Sequence, residues 1–132
     1  MADVVLDACM LINLEQRDRH TELWIEEAAR RGSALLVAGA TYTEVWKGYT
    51  RGRGYEMQRV LKSVVPVPTS ERIGRRAGEI LADAGAPKTL RFDAIVVATA
   101  AARHADVLTD DLDDIEYLAA YGNVRVLSTH TS

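Results

Sequence analysis

The chain has 132 residues, of which 48% are hydrophobic and 27% are charged, a balance typical of one soluble globular domain and unlike that of a disordered or fibrous chain. No run approaches the ~20 apolar residues of a membrane-spanning helix, and the start carries no basic leader, so we expect neither a membrane segment nor a secretory signal. One cysteine excludes an internal disulfide and suits a reducing cytoplasm. The net charge of −3 means that any nucleic-acid binding must use a local basic patch.

Short valine- and leucine-rich runs alternate with longer helical patterns along the whole chain. In chain order, we predict buried strands at residues 3–6, 34–38, 64–67, 107–109 and 124–127. We predict helices at residues 11–31, 41–49, 55–63, 70–84, 92–104 and 112–121. Continuous apolar strands that alternate with helices favour a mostly parallel sheet covered on both faces. The sequence therefore predicts a single α/β domain over residues 1–132, with three α/β/α layers and a central sheet of about five strands.

Acidic residues follow three of these strands, at the edge where the loops of a parallel sheet converge. Asp7 ends the first strand, and Glu44 lies in the first turn of the helix after the second strand. The fourth strand is followed by a cluster of acids, Asp110, Asp111, Asp113 and Asp114. Asp93 heads the helix that leads into the fourth strand, so chain order alone does not fix it at the same edge.

Acids gathered from distant segments indicate a cation site. Grouped carboxylates repel one another, which raises their pKa values unless a cation offsets the charge. Because oxygen ligands suit hard ions, Mg²⁺ or Mn²⁺ is expected. Such an ion can lower the pKa of a bound water and stabilise a departing oxygen, so the pattern suggests metal-assisted hydrolysis of a phosphodiester.

Each acid taken alone also has a purely structural interpretation. Thr41 and Glu44 have the spacing of a capping box, and Asp93 in a first turn complements the helix dipole. The cluster at residues 110–114 can serve as a solvated helix start with an Asp N-cap. Asp7 is harder to explain in this way, because a carboxylate beside the core needs a partner.

Four segments, each built around one acid, together resemble the PIN-domain family and, within it, the VapC-type toxins of bacterial toxin–antitoxin pairs. They are Val-Leu-Asp-Ala-Cys-Met-Leu-Ile at 5–12, Thr-Glu-Val-Trp-Lys-Gly at 43–48, Phe-Asp-Ala-Ile-Val-Val-Ala at 92–98, and Val-Leu-Thr-Asp-Asp-Leu-Asp-Asp-Ile at 107–115. The family pattern in the last segment is Thr, any residue, Asp. On that alignment Asp111 is the family acid, Asp110 fills the variable position and Asp114 is an auxiliary acid. The resemblance covers essentially the whole chain.

The resemblance implies a metal-dependent endoribonuclease. In it, one or two Mg²⁺ or Mn²⁺ ions are held by Asp7, Glu44, Asp93 and Asp111, with Asp110 and Asp114 as further candidate ligands. It also implies an RNA substrate, a toxin role in the cytoplasm, a homodimer, and a small cognate antitoxin that inhibits it in a heterotetramer or larger assembly.

One residue departs from the family pattern. Two positions after the first aspartate the family usually has a small hydroxyl, an amide or glycine, and here that position is Cys9. Because a thiol is a poor hydrogen-bond donor, a catalytically inactive PIN-like module that binds RNA or a partner protein stays open as an alternative. A receiver-like phosphoacceptor domain is disfavoured, since Asp7 stands alone after the first strand and no lysine follows Lys88.

A basic and aromatic stretch follows Glu44. The basic residues expected to contact RNA phosphates are Lys47, Arg51, Arg53 and Arg59, with Lys62 in the same stretch. The alternative is a solvated helix face paired with local acids. The aromatic residues interleaved with them, candidates for base stacking, are Tyr42, Trp46, Tyr49 and Tyr55. The histidines are predicted to be solvated or capping: His20, His104 and His130.

Overall fold

The structure is a computed structural model that describes residues 2–46 and 54–130. The strands of this part are β1 (Val4–Leu6), β2 (Leu35–Ala38), β3 (Val65–Val67), β4 (Asp106–Leu108) and β5 (Val126–Leu127). The helices are α1 (Ala8–Glu15), α2 (Arg19–Arg30), α3 (Gly39–Trp46), α4 (Tyr55–Leu61), α5 (Glu71–Ala84), α6 (Arg91–Arg103) and α7 (Leu112–Gly122), with a 3-10 turn at Lys88–Leu90. Within the described ranges, every helix is too short or too polar to cross a bilayer.

The strands form one parallel sheet in the order β3-β2-β1-β4-β5. From β1 the chain moves outward to β2 and β3, and then returns to the other side of β1 to add β4 and β5. The topological switch point therefore lies between β1 and β4, where the loops that leave the two strands diverge. Because all pairs are parallel, the residues that follow the strands share one edge of the sheet.

Helices cover both faces of the sheet, which confirms the predicted three-layer α/β/α architecture. Successive strand residues point to opposite faces, so Val5 packs into one core while Val4 and Leu6 pack into the other. The first core is filled from α5, α6 and α7, and the second from α1, α2, α3 and α4. The central strand β1 is fully buried on both sides, which accounts for its uninterrupted apolar sequence.

The largest difference from the predicted elements is in the segment 11–31, which forms two helices and not one. α1 ends at Glu15, and Arg17 adopts a left-handed conformation with φ 63°. The Asp18 side chain then accepts the N–H of Thr21 at 3.0 Å and begins α2. Apolar residues of both helices pack into the same core. Their helical spacing therefore continues across the break, and the sequence pattern does not reveal that the helix ends there.

Candidate active site

Asp7 lies at the switch point, between β1 and α1, with only 6% of its surface exposed. Its Oδ1 accepts the N–H of Ala8 at 2.9 Å, and its Oδ2 accepts the hydroxyl of Thr109 at 2.9 Å. Burial raises the pKa of Asp7, the bonds from Ala8 and Thr109 oppose that rise, and the charge of Asp111 adds to it. The carboxylate is thus held in one orientation beside the core.

Thr109 connects the two central strands at this edge. It follows β4 directly, is fully buried, and accepts the backbone N–H of Asp111 at 3.0 Å while it donates to Asp7. One hydroxyl therefore ties the end of β1 to the loop that carries Asp111. In the sequence, Thr109 is identified only as part of a motif, with no role of its own assigned to it. A threonine directly after a buried apolar strand is the sequence feature that indicates this role.

Cys9 contacts the same pair of side chains. Its Sγ lies 3.4 Å from Thr109 Oγ1 and 3.9 Å from Asp7 Oδ2. Burial raises the pKa of the thiol, so at neutral pH it remains protonated. The position therefore holds a small, weakly hydrogen-bonding group against Asp7 and not a thiolate nucleophile.

Glu44 reaches this edge on α3. The helix begins at Gly39, directly after β2, so Thr41 is its third residue and not its N-cap. The capping box that the spacing of Thr41 and Glu44 allowed is therefore not formed. Capping of the helix therefore does not explain the presence of a glutamate at position 44. The Glu44 side chain is partly buried.

Asp93 shows that the acids share one electrostatic environment. It is the third residue of α6 and is partly buried. Burial and the negative charges of Asp7, Glu44, Asp114 and Asp111 raise its pKa to about 7. A place in the first turn of a helix would lower the pKa of a carboxyl group, so burial and the surrounding charges outweigh the helix dipole here. The structure thus brings acids from four separate segments together, including the one that chain order could not place.

The two outer acids of this group lie on the loop after β4 and on α7. Asp111 is the N-cap of α7, yet its side chain makes no capping hydrogen bond, so its carboxylate is not occupied by the helix. Asp111 and Asp114 are both exposed. They form the solvent side of the site, while Asp7 forms its buried side.

Asp110 is placed differently from its neighbour Asp111. Its carboxylate accepts hydrogen bonds from Ser128 Oγ at 2.8 Å, from the Thr129 N–H at 2.9 Å and from Thr129 Oγ1 at 2.7 Å. Burial alone would raise the pKa of Asp110, but these bonds and the nearby His130 lower it. Its charge is also not among the main causes of the raised pKa of Asp93.

The donor set suits a hard divalent cation. Carboxylate oxygens are the ligands that Mg²⁺ and Mn²⁺ prefer, and a cation would relieve the repulsion evident in the pKa of Asp93. Within residues 2–46 and 54–130, no three His, Cys, Asp or Glu side chains are close enough to form a ready coordination group. The chemistry and charge of the grouped acids therefore suit such an ion, but their side chains lie farther apart than the ligands of a bound ion would. These acids are Asp7, Glu44, Asp93, Asp111 and Asp114.

The predicted RNA-contacting residues are covered only in part. Lys47, Arg51 and Arg53 lie outside the described residues. Arg59 pairs with Glu56 on α4 at 3.1 Å, at the surface. This contact supports the alternative of a solvated helix face for Arg59.

Tyr42 and Trp46, the two aromatic residues of α3, are turned away from Glu44. Tyr42 and Trp46 are each two residues from Glu44 on α3, and residues at that spacing point to different sides of a helix. They line a surface groove with Leu61, Lys62 and Pro66 instead. Tyr49 lies outside the described residues, and Tyr55 is 73% exposed.

The histidines match their predicted exposure but are not all isolated. His104 caps the C-terminus of α6 with φ 51°. His20 and His130 are exposed, yet their rings stack with centroids 4.9 Å apart and an interplanar angle of 11°. No local pattern in the sequence predicts this pairing, which joins α2 to the segment after β5.

Comparison with known proteins agrees with this architecture. A family model described as the PIN domain matches residues 4–120. Similar solved structures include VapBC2 from Rickettsia felis bound to a promoter DNA fragment (TM-score 0.80, 13% identity, 97% of this chain and 98% of the other). A toxin–antitoxin complex from Klebsiella pneumoniae has TM-score 0.74 and 18% identity over 98% of this chain and 100% of the other. DNA-bound VapBC from Salmonella typhimurium has TM-score 0.74 and 18% identity over 98% and 99%. At these identities the likeness shows the shared fold. A search of curated proteins found no significant match.

Proposed function

Because the chain belongs to the PIN-domain family, we propose that it is a metal-dependent endoribonuclease that acts as the toxin of a toxin–antitoxin pair. The observation that carries this proposal is the rise of the Asp93 pKa to about 7, which is caused by burial and by the charges of four other acids from separate segments. Such a grouping destabilises the metal-free protein, and it is a common feature of catalytic sites.

We assign Mg²⁺ or Mn²⁺ as the cofactor, held by Asp7, Glu44, Asp93 and Asp111. Asp114 is an auxiliary acid on the exposed side of the group. When bound, the ion supplies a water of lowered pKa and a positive charge for the scissile phosphate.

The side chains of the protein have separate tasks in this proposal. The bonds from Ala8 and Thr109 hold the Asp7 carboxylate in one orientation, so little reorganisation is needed on binding. Asp93, with a pKa of about 7, retains a proton in a large fraction of metal-free molecules at neutral pH and must lose it to act as a ligand. Asp111 and Asp114 lie at the solvent edge, where a polynucleotide backbone can approach.

The proposed substrate is RNA, and the proposed location is the cytoplasm, which suits a chain with one free cysteine. The proposed partners are a second copy of the chain and a small cognate antitoxin, in a heterotetramer or larger assembly. The likeness of the fold to chains solved within toxin–antitoxin complexes supports the antitoxin partner.

The experiment is cleavage of total cellular RNA by the purified protein, with the new 5′ ends sequenced. It is run with Mg²⁺, with Mn²⁺ and with a chelator, for the wild type and for Asp7→Asn. Asp113→Asn is the matched control, because it removes a charge from the same cluster at an exposed residue that is not one of the proposed ligands.

We expect discrete cuts that require the metal and Asp7 and that persist in Asp113→Asn. Equal cleavage by Asp7→Asn, or cleavage in the presence of chelator, would contradict the mechanism. If the folded protein cleaves no RNA with either Mg²⁺ or Mn²⁺, the result would favour a binding module over a nuclease.

A further inference from the structure

Asp110 is the centre of a hydrogen-bonded group that we call the C-terminal clasp, which comprises Asp110, His20, Ser128, Thr129 and His130. Both carboxylate oxygens of Asp110 are engaged. Oδ1 accepts from Ser128 Oγ at 2.8 Å and from the Thr129 N–H at 2.9 Å, and Oδ2 accepts from Thr129 Oγ1 at 2.7 Å. His130 Nε2 lies 3.6 Å from the same Oδ2.

The clasp is held from its other side by α2. His20 Nε2 lies 2.6 Å from the carbonyl oxygen of Thr129, and the His20 ring stacks on His130. Ser128 and Thr129 are buried at 4% and 6% exposure. The segment after β5 is thus fixed between α2 and Asp110, although it belongs to no helix or strand.

The clasp is directly linked to the candidate metal site through the backbone. Asp110 lies between Thr109 and Asp111, and Thr109 is bonded to Asp7 on the site side. The loop is therefore anchored by Thr109 on one side and by Asp110 on the other. Because the Asp111 side chain makes no capping bond, its position depends on how firmly this backbone is held.

We propose that Asp110 is a positioning residue and not a metal ligand: through Ser128 and Thr129, it holds the loop so that the Asp111 carboxylate joins the other acids. This inference rests on the proposed metal site. If Asp110 moved to bind a cation, it would give up three hydrogen bonds to partly or fully buried groups. Groups that orient metal ligands from behind typically change metal affinity by ~10–100-fold when they are removed.

The chain offers a matched control at the opposite edge of the sheet. Arg125 Nη2 bonds to Asp106 Oδ2 at 2.6 Å, and so joins the beginning of β4 to the residue before β5. This pair links the same two parts of the chain as the clasp does, but far from the acids. Arg125→Gln therefore reports what the loss of such a link does to stability alone.

The first measurement is Mn²⁺ affinity, by titration calorimetry, for the wild type and three variants. The double variant Ser128→Ala with Thr129→Val removes both hydroxyl donors and leaves Asp110 in place. We expect it and Asp110→Ala to weaken Mn²⁺ binding by about tenfold or more, and Arg125→Gln to leave it unchanged. Loss of affinity in Asp110→Ala alone would make Asp110 a ligand and overturn the proposal. The proposal would also be overturned if all three variants lost Mn²⁺ affinity equally, or if none of them lost affinity.

The second measurement needs no metal. Amide hydrogen exchange of Asp111, whose N–H donates to Thr109, is followed in the chelator-treated protein. Exchange should be faster in the double variant and unchanged in Arg125→Gln, and equal rates in all proteins would refute the clasp. A wild type that binds no Mn²⁺ would defeat the proposed function, while this exchange measurement would still decide the role of the clasp. If the double variant does not fold, Thr129→Val alone replaces it, and Thr129→Ser should restore wild-type behaviour.

Discussion

The hydroxyl of Thr109 donates a 2.9 Å hydrogen bond to Oδ2 of Asp7, and so joins the carboxyl ends of β4 and β1. These two strands flank the topological switch point, the place in a parallel sheet where ligands are usually bound. The bond thus satisfies a buried carboxylate, and it also fixes the distance between the two halves of the acidic site.

We predict that Thr109→Val loses both stability and activity. Among the described residues, Oδ2 of Asp7 would then retain only the thiol of Cys9, at 3.9 Å, as a donor. Removing one partner of a buried carboxylate costs about 1–3 kcal/mol or more, so the free energy of unfolding in urea should fall by that amount. Thr109→Ser, which keeps the hydroxyl, should remain close to the wild type. Equal stability of the two variants would show that the hydroxyl is dispensable.

Cys9 is predicted to be unreactive and not required for catalysis. Burial raises the pKa of its thiol, so alkylation by iodoacetamide at pH 8 should be slower in the folded protein than in the urea-unfolded chain. Cys9→Ser places a better hydrogen-bond donor beside Asp7 and Thr109, and RNA cleavage should be retained. Loss of cleavage in Cys9→Ser, with the fold intact by circular dichroism, would contradict this assignment.

The sequence predicted the order of strands and helices because each strand is a short apolar run buried on both faces. It also predicted that Asp7, Glu44 and Asp111 follow strands of the same sheet. It could not place Asp93, because two helices separate β3 from β4 and their directions depend on packing.

Other features of the site had no local signal at all. The partners of Asp110 are eighteen or more positions away, and nothing in the pattern of residues 128–130 indicates that they bind a carboxylate. The break between α1 and α2 was hidden for a related reason, since apolar residues on both sides pack into one core. In both cases contacts distant in sequence decide the local structure.

The stability of the metal-free protein should fall as the pH rises from 5 to 8. The pKa of Asp93 is about 7 in the folded state against an ordinary value of 3.8, so between these values the folded protein binds more protons than the unfolded chain. Stability then decreases with pH, by at most about 1.4 kcal/mol per pH unit for one proton. Burial shifts the pKa of Asp7 in the same direction.

Asp93→Asn tests this assignment, because the amide cannot ionise. Chemical unfolding in chelator should show a flatter pH dependence than the wild type, and a more stable protein at pH 8. The variant Asp113→Asn is the control, since Asp113 is exposed and is not one of the acids that chiefly raise the pKa of Asp93. A wild type whose stability rises from pH 5 to pH 8 would show that Asp93 is not the dominant titrating group.

Divalent cations should reverse this loss of stability at high pH. Metal binding requires deprotonated ligands, so Mg²⁺ or Mn²⁺ competes with the proton that Asp93 retains below a pH of about 7. We therefore expect millimolar Mn²⁺ to raise the melting temperature more at pH 8 than at pH 5.5, and the increase at pH 8 to shrink in Asp93→Asn and Asp7→Asn. Thermal unfolding with matched concentrations of Ca²⁺, Mg²⁺ and Mn²⁺ measures this directly. The same increase at both pH values, or an undiminished increase in both variants, would place the cation somewhere other than among these acids.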